Sequence, residues 1–168
     1  MKILERLKLA LKGLPSEAEN TPKVRYLRNI WLPWRTQTDY TLENSELLFS
    51  AVSRIANALS AMPVRLYRGS EEWTENDLND LVGFAPNPNM TSCQFFKTME
   101  ACRDTSGNAY ALKAYDEMGQ LERLDVLDPS RVKPVLETES GELWYKITPE
   151  TGRELYVHNY YVVHVPFI

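Results

Sequence analysis

The clearest helical pattern in the chain lies in residues 43–62. Its apolar positions recur in steps of four and three, which places them on one face of an α-helix. These positions are Leu48, Val52, Ile55, Leu59 and Met62, with Leu47, Ala51 and Ala58 widening the stripe. Asn44 or Ser45 can cap the first turn, and Pro63 ends the helix.

A second helix is predicted over residues 92–106, because residues that start and stop helices flank it on both sides. Two prolines exclude helix before residue 89, a hydroxyl side chain can cap the first turn, and a glycine can take the left-handed conformation that ends a helix. These residues are Pro86, Pro88, Thr91, Ser92 and Gly107. The apolar stripe of this helix consists of Phe95, Met99 and Cys102.

The first 42 residues combine a short amphipathic pattern with an extended arm. In residues 1–14, Ile3, Leu4, Leu7 and Leu11 recur at helical spacing among basic residues. This pattern predicts a short helix, and we favour a solvated helix followed by a loose linker. The alternative is a basic arm that contacts DNA, a membrane surface or an acidic neighbour, and we prefer packing against a partner subunit to a membrane surface. Residues 15–42 have neither helical nor strand periodicity. We expect them to cross a neighbouring surface, because their aromatic residues, Trp31, Trp34 and Tyr40, need burial.

The remaining patterns are those of short strands. Val64–Arg68 alternates apolar and basic residues and predicts a strand, and the acidic segment 71–81 predicts one or two helical turns. After Gly107 the period becomes that of β-structure, interrupted by turn-forming residues. Six strands are predicted there, at 108–115, 120–127, 131–136, 143–147, 154–158 and 161–165. The fold class is therefore α+β, with an arm and helices followed by an antiparallel β meander.

Composition and charge narrow the class of protein. With 43% hydrophobic and 25% charged residues, the 168-residue chain can form one compact domain or two small ones. The net charge of −4 hides an asymmetry, because residues 1–35 carry +5 and residues 36–168 carry −9. An acidic body argues against a surface that grips nucleic acid. No apolar run approaches the roughly 18 residues of a membrane span.

Candidate catalytic and metal-binding residues are few. Only two histidines, His158 and His164, are present, and protein metal sites commonly need three or four ligands. Cys93 and Cys102 lie about 13 Å apart along the predicted helix, too far for a disulfide, so we expect reduced thiols in a cytosolic protein. The chain has no nucleophile elbow and no phosphate-binding glycine loop. We therefore expect no enzyme activity, cofactor or metal.

Several motifs, taken in order, carry a family resemblance. They are residues 50–67 (SAVSRIANALSAMPVRLY), 86–92 (PNPNMTS) followed by Phe95 and Phe96, 107–111 (GNAYA), 127–132 (LDPSRV) and 163–165 (VHV). Each motif alone is weak. In this order and spacing, over residues 43–165, they resemble the portal protein, or head-to-tail connector, of tailed double-stranded DNA bacteriophages and prophages.

The resemblance implies a structural subunit of a ring, usually of twelve copies, at one capsid vertex. Double-stranded DNA passes through such a ring during packaging and ejection without sequence-specific binding, and capsid protein, terminase and connector or adaptor proteins dock on it. The implied locations are the host cytoplasm during assembly and the virion. The implied parts are an arm (1–42), a wing-like segment (43–90), a stem-like helix (91–107) and a clip-like β meander (108–168).

In such a ring, a polar stripe on the stem-like helix is expected to face the lumen or an adjacent subunit. It consists of Gln94, Lys97, Thr98, Arg103 and Asp104. Members of this family are commonly more than twice as long, so the resemblance also suggests a fragment or a degenerate prophage product. A monomeric protein-interaction module, which would bind a partner along a sheet edge, is the alternative.

Overall fold

A computed structural model of the chain describes residues 24–26, 45–74, 76–149 and 153–167. Three α-helices lie in these ranges: α1 (Glu46–Ser60), α2 (Asp77–Gly83) and α3 (Ser92–Ser106). Nine strands are β1 (Val24–Tyr26), β2 (Tyr67–Arg68), β3 (Glu71–Glu72), β4 (Asn108–Tyr115), β5 (Leu121–Leu127), β6 (Val132–Glu137), β7 (Leu143–Ile147), β8 (Leu155–His158) and β9 (Val162–Pro166). The α+β class is confirmed, and every strand pair in the described part of the chain is antiparallel.

The predicted cap of α1 is confirmed, and the helix is shorter than the predicted range of residues 43–62. Ser45 caps the helix by accepting a hydrogen bond from the Leu48 N–H, and the helix ends three residues before Pro63. The strand predicted over Val64–Arg68 is shorter than expected, because only β2 pairs, with β3, around Gly69. The main-chain groups of Leu66 bond instead to the side chain of Asn79 and to the Trp73 N–H.

The predicted β meander is divided between two sheets. One has the order β5-β4-β9 and the other the order β1-β6-β7-β8. A single 3₁₀ turn at Asn159–Tyr161 carries the chain from β8 to β9, which returns to pair with β4. The last strand thus closes beside the first long strand, a pairing of residues 50 to 58 positions apart.

Strand β4 is buried on both faces, which explains its nearly continuous apolar sequence. Its residues Tyr110, Leu112 and Ala114 pack in a core formed with the four-stranded sheet. Ala109 and Ala111, on the opposite face, pack with residues of α2 and α3. The described body therefore has three layers: helices, a three-stranded sheet and a four-stranded sheet.

The amino-terminal arm contributes one strand that periodicity did not predict. Residues Val24–Tyr26 pair with Val135–Glu137 and add β1 to the edge of the four-stranded sheet. The predicted helix of residues 1–14 and the rest of the arm lie outside the described residues. None of the described helices is long and apolar enough to cross a bilayer.

Candidate subunit-contact surfaces

Helix α3 is held rigidly at both ends by local contacts. Thr91 and Gln94 form a reciprocal capping box, in which each side chain accepts a hydrogen bond from the other residue's main-chain N–H. At the far end Gly107 takes a φ of 74°, which is left-handed, and its N–H donates to the Arg103 carbonyl. A helix fixed in this way holds its outer side chains in defined positions.

The five predicted stripe residues do not share one face of α3. At about 100° per residue, Arg103 lies half a turn away from Gln94. Gln94 and Lys97 are exposed, and Thr98 is partly buried with its hydroxyl donating to the Gln94 carbonyl over 2.8 Å. Arg103 and Asp104 are also partly buried. The exposed polar surface of α3 is therefore smaller than the stripe that the sequence predicted.

Arg103 and Asp104, which do not belong to the exposed polar surface, lie in a cluster of charged residues at the end of α3. Arg103 donates to the buried Glu100 carboxylate, lies 3.7 Å from an Asp104 oxygen and places its guanidinium 5.5 Å from the centre of the Phe167 ring. Burial raises the pKa of the Asp104 carboxyl, the Glu100 carboxylate raises this pKa further, and Arg103 partly offsets both effects. Asp104 Oδ2 and Arg103 Nε have no hydrogen-bond partner among the described residues. The folded chain therefore disfavours the ionised form of the Asp104 carboxyl.

Helix α1 presents apolar side chains that the described residues leave uncovered. Val52 and Ala56 are only 6% and 1% exposed, whereas Leu47, Ile55 and Met62 are 85%, 50% and 58% exposed. The predicted apolar stripe is therefore buried along one flank only. Exposed apolar side chains on one helix face are typical of protein–protein contacts, which makes this face a candidate contact surface.

The two histidines lie at different places in the fold and make different contacts. His164 lies between the sheets, where Nδ1 is 3.0 Å from the Tyr145 hydroxyl, Nε2 is 2.9 Å from Asn108 Oδ1, and the ring stacks on Tyr110. His158 lies near Glu142, with 3.4 Å between Nε2 and a carboxylate oxygen. Within the described ranges, no group of three or more potential ligands could hold a metal ion.

A crevice of about 480 Å³ runs beside α3, between the helix and the ends of β5 and β7. Thr98 and Cys102 line it on the helix side, and Asp128 and Ile147 line it on the strand side. Burial, and then the Asp128 carboxylate, raise the pKa of the Cys102 thiol, which keeps it protonated and unreactive. Cys93 is exposed, and both cysteines are free.

A tyrosine cluster is the surface feature that the sequence analysis missed. Tyr160 stacks on Tyr115 with 5.8 Å between ring centres, and Tyr161 packs edge-on against both rings. Lys113 donates to the Tyr160 carbonyl over 2.8 Å. The adjacent Tyr160-Tyr161 pair was the only sign of this cluster in the sequence. Its position could not be predicted, because the 3₁₀ turn that brings the pair to β4 has no hydrophobic periodicity.

The predicted arm contacts Trp31, Trp34 and Tyr40 lie outside the described residues. Strand β1, which precedes them in the chain, is the part of the arm that the structure describes.

The comparisons with known proteins agree with this architecture. The family model of the phage portal protein matches residues 46–167, from the first turn of α1 to the end of β9. The chain belongs to the phage portal protein family. Among curated proteins, none matches this portal-family chain.

Solved structures similar to this portal-family chain come from gene transfer agent (GTA) particles. A chain in the neck of an empty GTA particle, computed with C6 symmetry, is 20% identical with a TM-score of 0.68; the match covers 95% of this chain and 42% of that one. A chain in the neck of a native GTA particle, computed with C12 symmetry, is 20% identical with a TM-score of 0.58 and coverages of 95% and 41%.

A third similar chain comes from the virion of the native gene transfer agent particle. It is 23% identical with a TM-score of 0.56, and the match covers 70% of this chain and 31% of that one. At these identities the similarity shows that the fold is shared. The portal-family chain described here spans about two-fifths of the length of the two neck chains.

Proposed function

We propose that this chain is a structural subunit of a portal ring at a capsid vertex, forming part of the channel through which DNA is packaged and ejected. The observation that carries the proposal is the portal-family match over residues 46–167, which spans all three described helices and every strand of the two large sheets except β1. Twelve copies form the ring, in keeping with the C12 symmetry of the native GTA neck structure.

The parts of the ring follow the order of the chain. Residues 43–90 form the wing-like segment, residues 91–107 the stem-like helix, and residues 108–168 the clip-like sheets. The exposed side chains Gln94 and Lys97, together with Thr98, face the lumen or an adjacent subunit, whereas Arg103 and Asp104 contact the neighbouring copy at the helix end. The partly buried, incompletely bonded cluster around Asp104 supports that last assignment.

The charge distribution supports a conduit more than a DNA-binding surface. Residues 36–168 carry a net charge of −9, so a wall built from them repels phosphates and lets DNA slide without being held. The DNA contact is therefore independent of base sequence. Capsid protein, terminase and connector or adaptor proteins dock on the outer surfaces, and the ring forms in the host cytoplasm and ends in the virion.

The arm completes the contacts between copies. Residues 1–35 carry +5 and lie before an acidic body, so the arm of one copy is attracted to the body of the next. Trp31, Trp34 and Tyr40 supply apolar contact area along this path.

Electron microscopy and native mass spectrometry test the proposal directly. We expect rotationally symmetric particles with a central channel and a mass that is a multiple of 19.4 kDa, formed by the chain alone or on co-expression with capsid protein. A strict monomer under both conditions would contradict the ring and favour the alternative, a monomeric interaction module or a truncated prophage remnant.

A further inference from the structure

We propose that strand β1 is exchanged between copies: in the assembled ring, Val24–Tyr26 of one copy occupies the β6 edge of the adjacent copy. This inference rests on the proposed ring, and it names an interaction surface and its occupant, which is a second copy of this chain. The surface is the outer edge of β6, residues Val135–Glu137, which β1 covers in register in the single chain.

The outer edge of β6 can pair with β1 from any copy of the chain. Val24, Arg25 and Tyr26 lie opposite Glu137, Leu136 and Val135, so the attachment is made between main chains. The described pairing reaches Val135, and the next residue of β6, Pro134, has no N–H to donate to a further ladder. Val135 is fully buried in the core beneath this edge. An uncovered edge here would invite pairing with another chain, so it needs an occupant.

The length of the connection allows either copy to supply the strand. Eighteen residues, 27–44, separate β1 from the Ser45 cap of α1. Extended, they reach about 60 Å. A compact domain of this length has a radius of gyration of roughly 15 Å, so the connection can cross to an adjacent copy. Exchange therefore keeps all the main-chain pairing between β1 and β6 that is present within one chain.

Charge permits the exchanged arrangement, and the symmetry of a ring favours it. The basic arm and the acidic body attract each other between copies as well as within one copy. In a ring the adjacent body is held at high effective concentration, so the second attachment is favoured once copies are side by side. Each copy gives one strand and receives one, which is the head-to-tail contact that closes a cyclic assembly.

Disulfide trapping between the paired positions tests the exchange. Arg25 and Leu136 are directly opposite, so cysteines there lie at a spacing that a disulfide can bridge. In a chain carrying Cys93→Ser and Cys102→Ala, one variant carries Arg25→Cys and a second, differently tagged variant carries Leu136→Cys. Because each chain then has one cysteine, a heterodimeric disulfide can arise only between copies.

We expect mild oxidation of the co-expressed pair to give at least tenfold more heterodimer than a control pair in which Lys133→Cys replaces Leu136→Cys. Lys133 is exposed and lies beyond Pro134, out of register with β1. A single chain carrying both R25C and L136C should give a ladder of covalent oligomers on a non-reducing gel.

The outcomes separate this inference from the ring itself. Rings seen by microscopy, together with only a fast-migrating monomer from the double variant, would overturn the exchange and leave the portal function standing. Heterodimer without rings would support the exchange and contradict the ring. No in-register disulfide, within or between copies, would overturn the exchange, because β1 would then not occupy the β6 edge.

Discussion

At the scale of single residues, His164 connects the two sheets. Its ring accepts from the Tyr145 hydroxyl on one sheet and donates to Asn108 on the other. We expect His164→Ala to lower the free energy of unfolding by about 1–3 kcal/mol, because both partners are left unpaired in a largely buried site. Urea unfolding of H164A, Tyr145→Phe and the double variant checks this. A double variant that equals the sum of the single ones would contradict the link.

The same residue predicts a pH dependence. Burial lowers the pKa of His164, so the folded state favours the neutral ring. The contribution to stability is complete above the unfolded-state pKa of about 6.5 and is lost as the pH falls through the lower folded-state pKa. We expect thermal unfolding between pH 7.5 and 5 to show this loss in the native chain and to lack it in H164A. Parallel curves for the two proteins would exclude His164 as the source.

Asp104 predicts a change in the opposite direction. Its raised pKa means that the ionised carboxylate is disfavoured in the folded chain, so the penalty is fully present at pH 7 and disappears as the pH falls below the usual value of 3.8. We expect Asp104→Asn to raise the Tm at pH 7 by about 1–3 °C, with a smaller gain near pH 3.5. Glu122→Gln, at an exposed site, serves as the control and should change little. A lower Tm for D104N at pH 7 would contradict this account.

At the scale of elements, two glycines at helix ends predict opposite effects. Gly107 ends α3 at a φ of 74°, so Gly107→Ala should cost about 1–2 kcal/mol of stability. Gly83, the last residue of α2, is not left-handed, and a Cβ added there would meet the Val64 carbonyl at an ordinary 3.8 Å. We expect Gly83→Ala to be neutral or to stabilise by up to about 1 kcal/mol. Chemical denaturation of the two variants makes the comparison, and equal effects would show that backbone conformation is not the cause.

Elements also differ in how well sequence alone predicts them. The bounds of α3, β4 and β7 were predicted to the residue, because caps, glycines and alternation act on near neighbours in the chain. Strand β1 was missed, since three residues are too few to establish a period. The polar stripe on α3 was predicted too wide, because Arg103 lies on the opposite side of the helix from Gln94.

At the scale of the whole molecule, α1 predicts how copies meet. Ile55 is half exposed on a helix that otherwise packs along α3, so we expect Ile55→Glu to leave the Tm nearly unchanged. In the proposed ring, in which we expect a neighbouring copy to cover this face, the same change should weaken the assembly constant at least tenfold, or about 1.4 kcal/mol. Native mass spectrometry measures it. Asn57→Glu adds the same charge at an exposed polar site of α1 and should assemble normally; equal loss in both variants would point to charge alone.

The amino-acid sequence by itself determined the α+β class, the helix ends and the family, because each depends on residue order over a few turns of chain. Tertiary structure decided which strands pair, since β9 pairs with β4 residues 50 to 58 positions away and β4 is buried on both faces. It also decided that Arg103 and Asp104 are partly buried while Leu47, Ile55 and Met62 are exposed. Burial depends on which distant segments fold back onto a surface, and the local periodicity of a sequence contains no information about those segments.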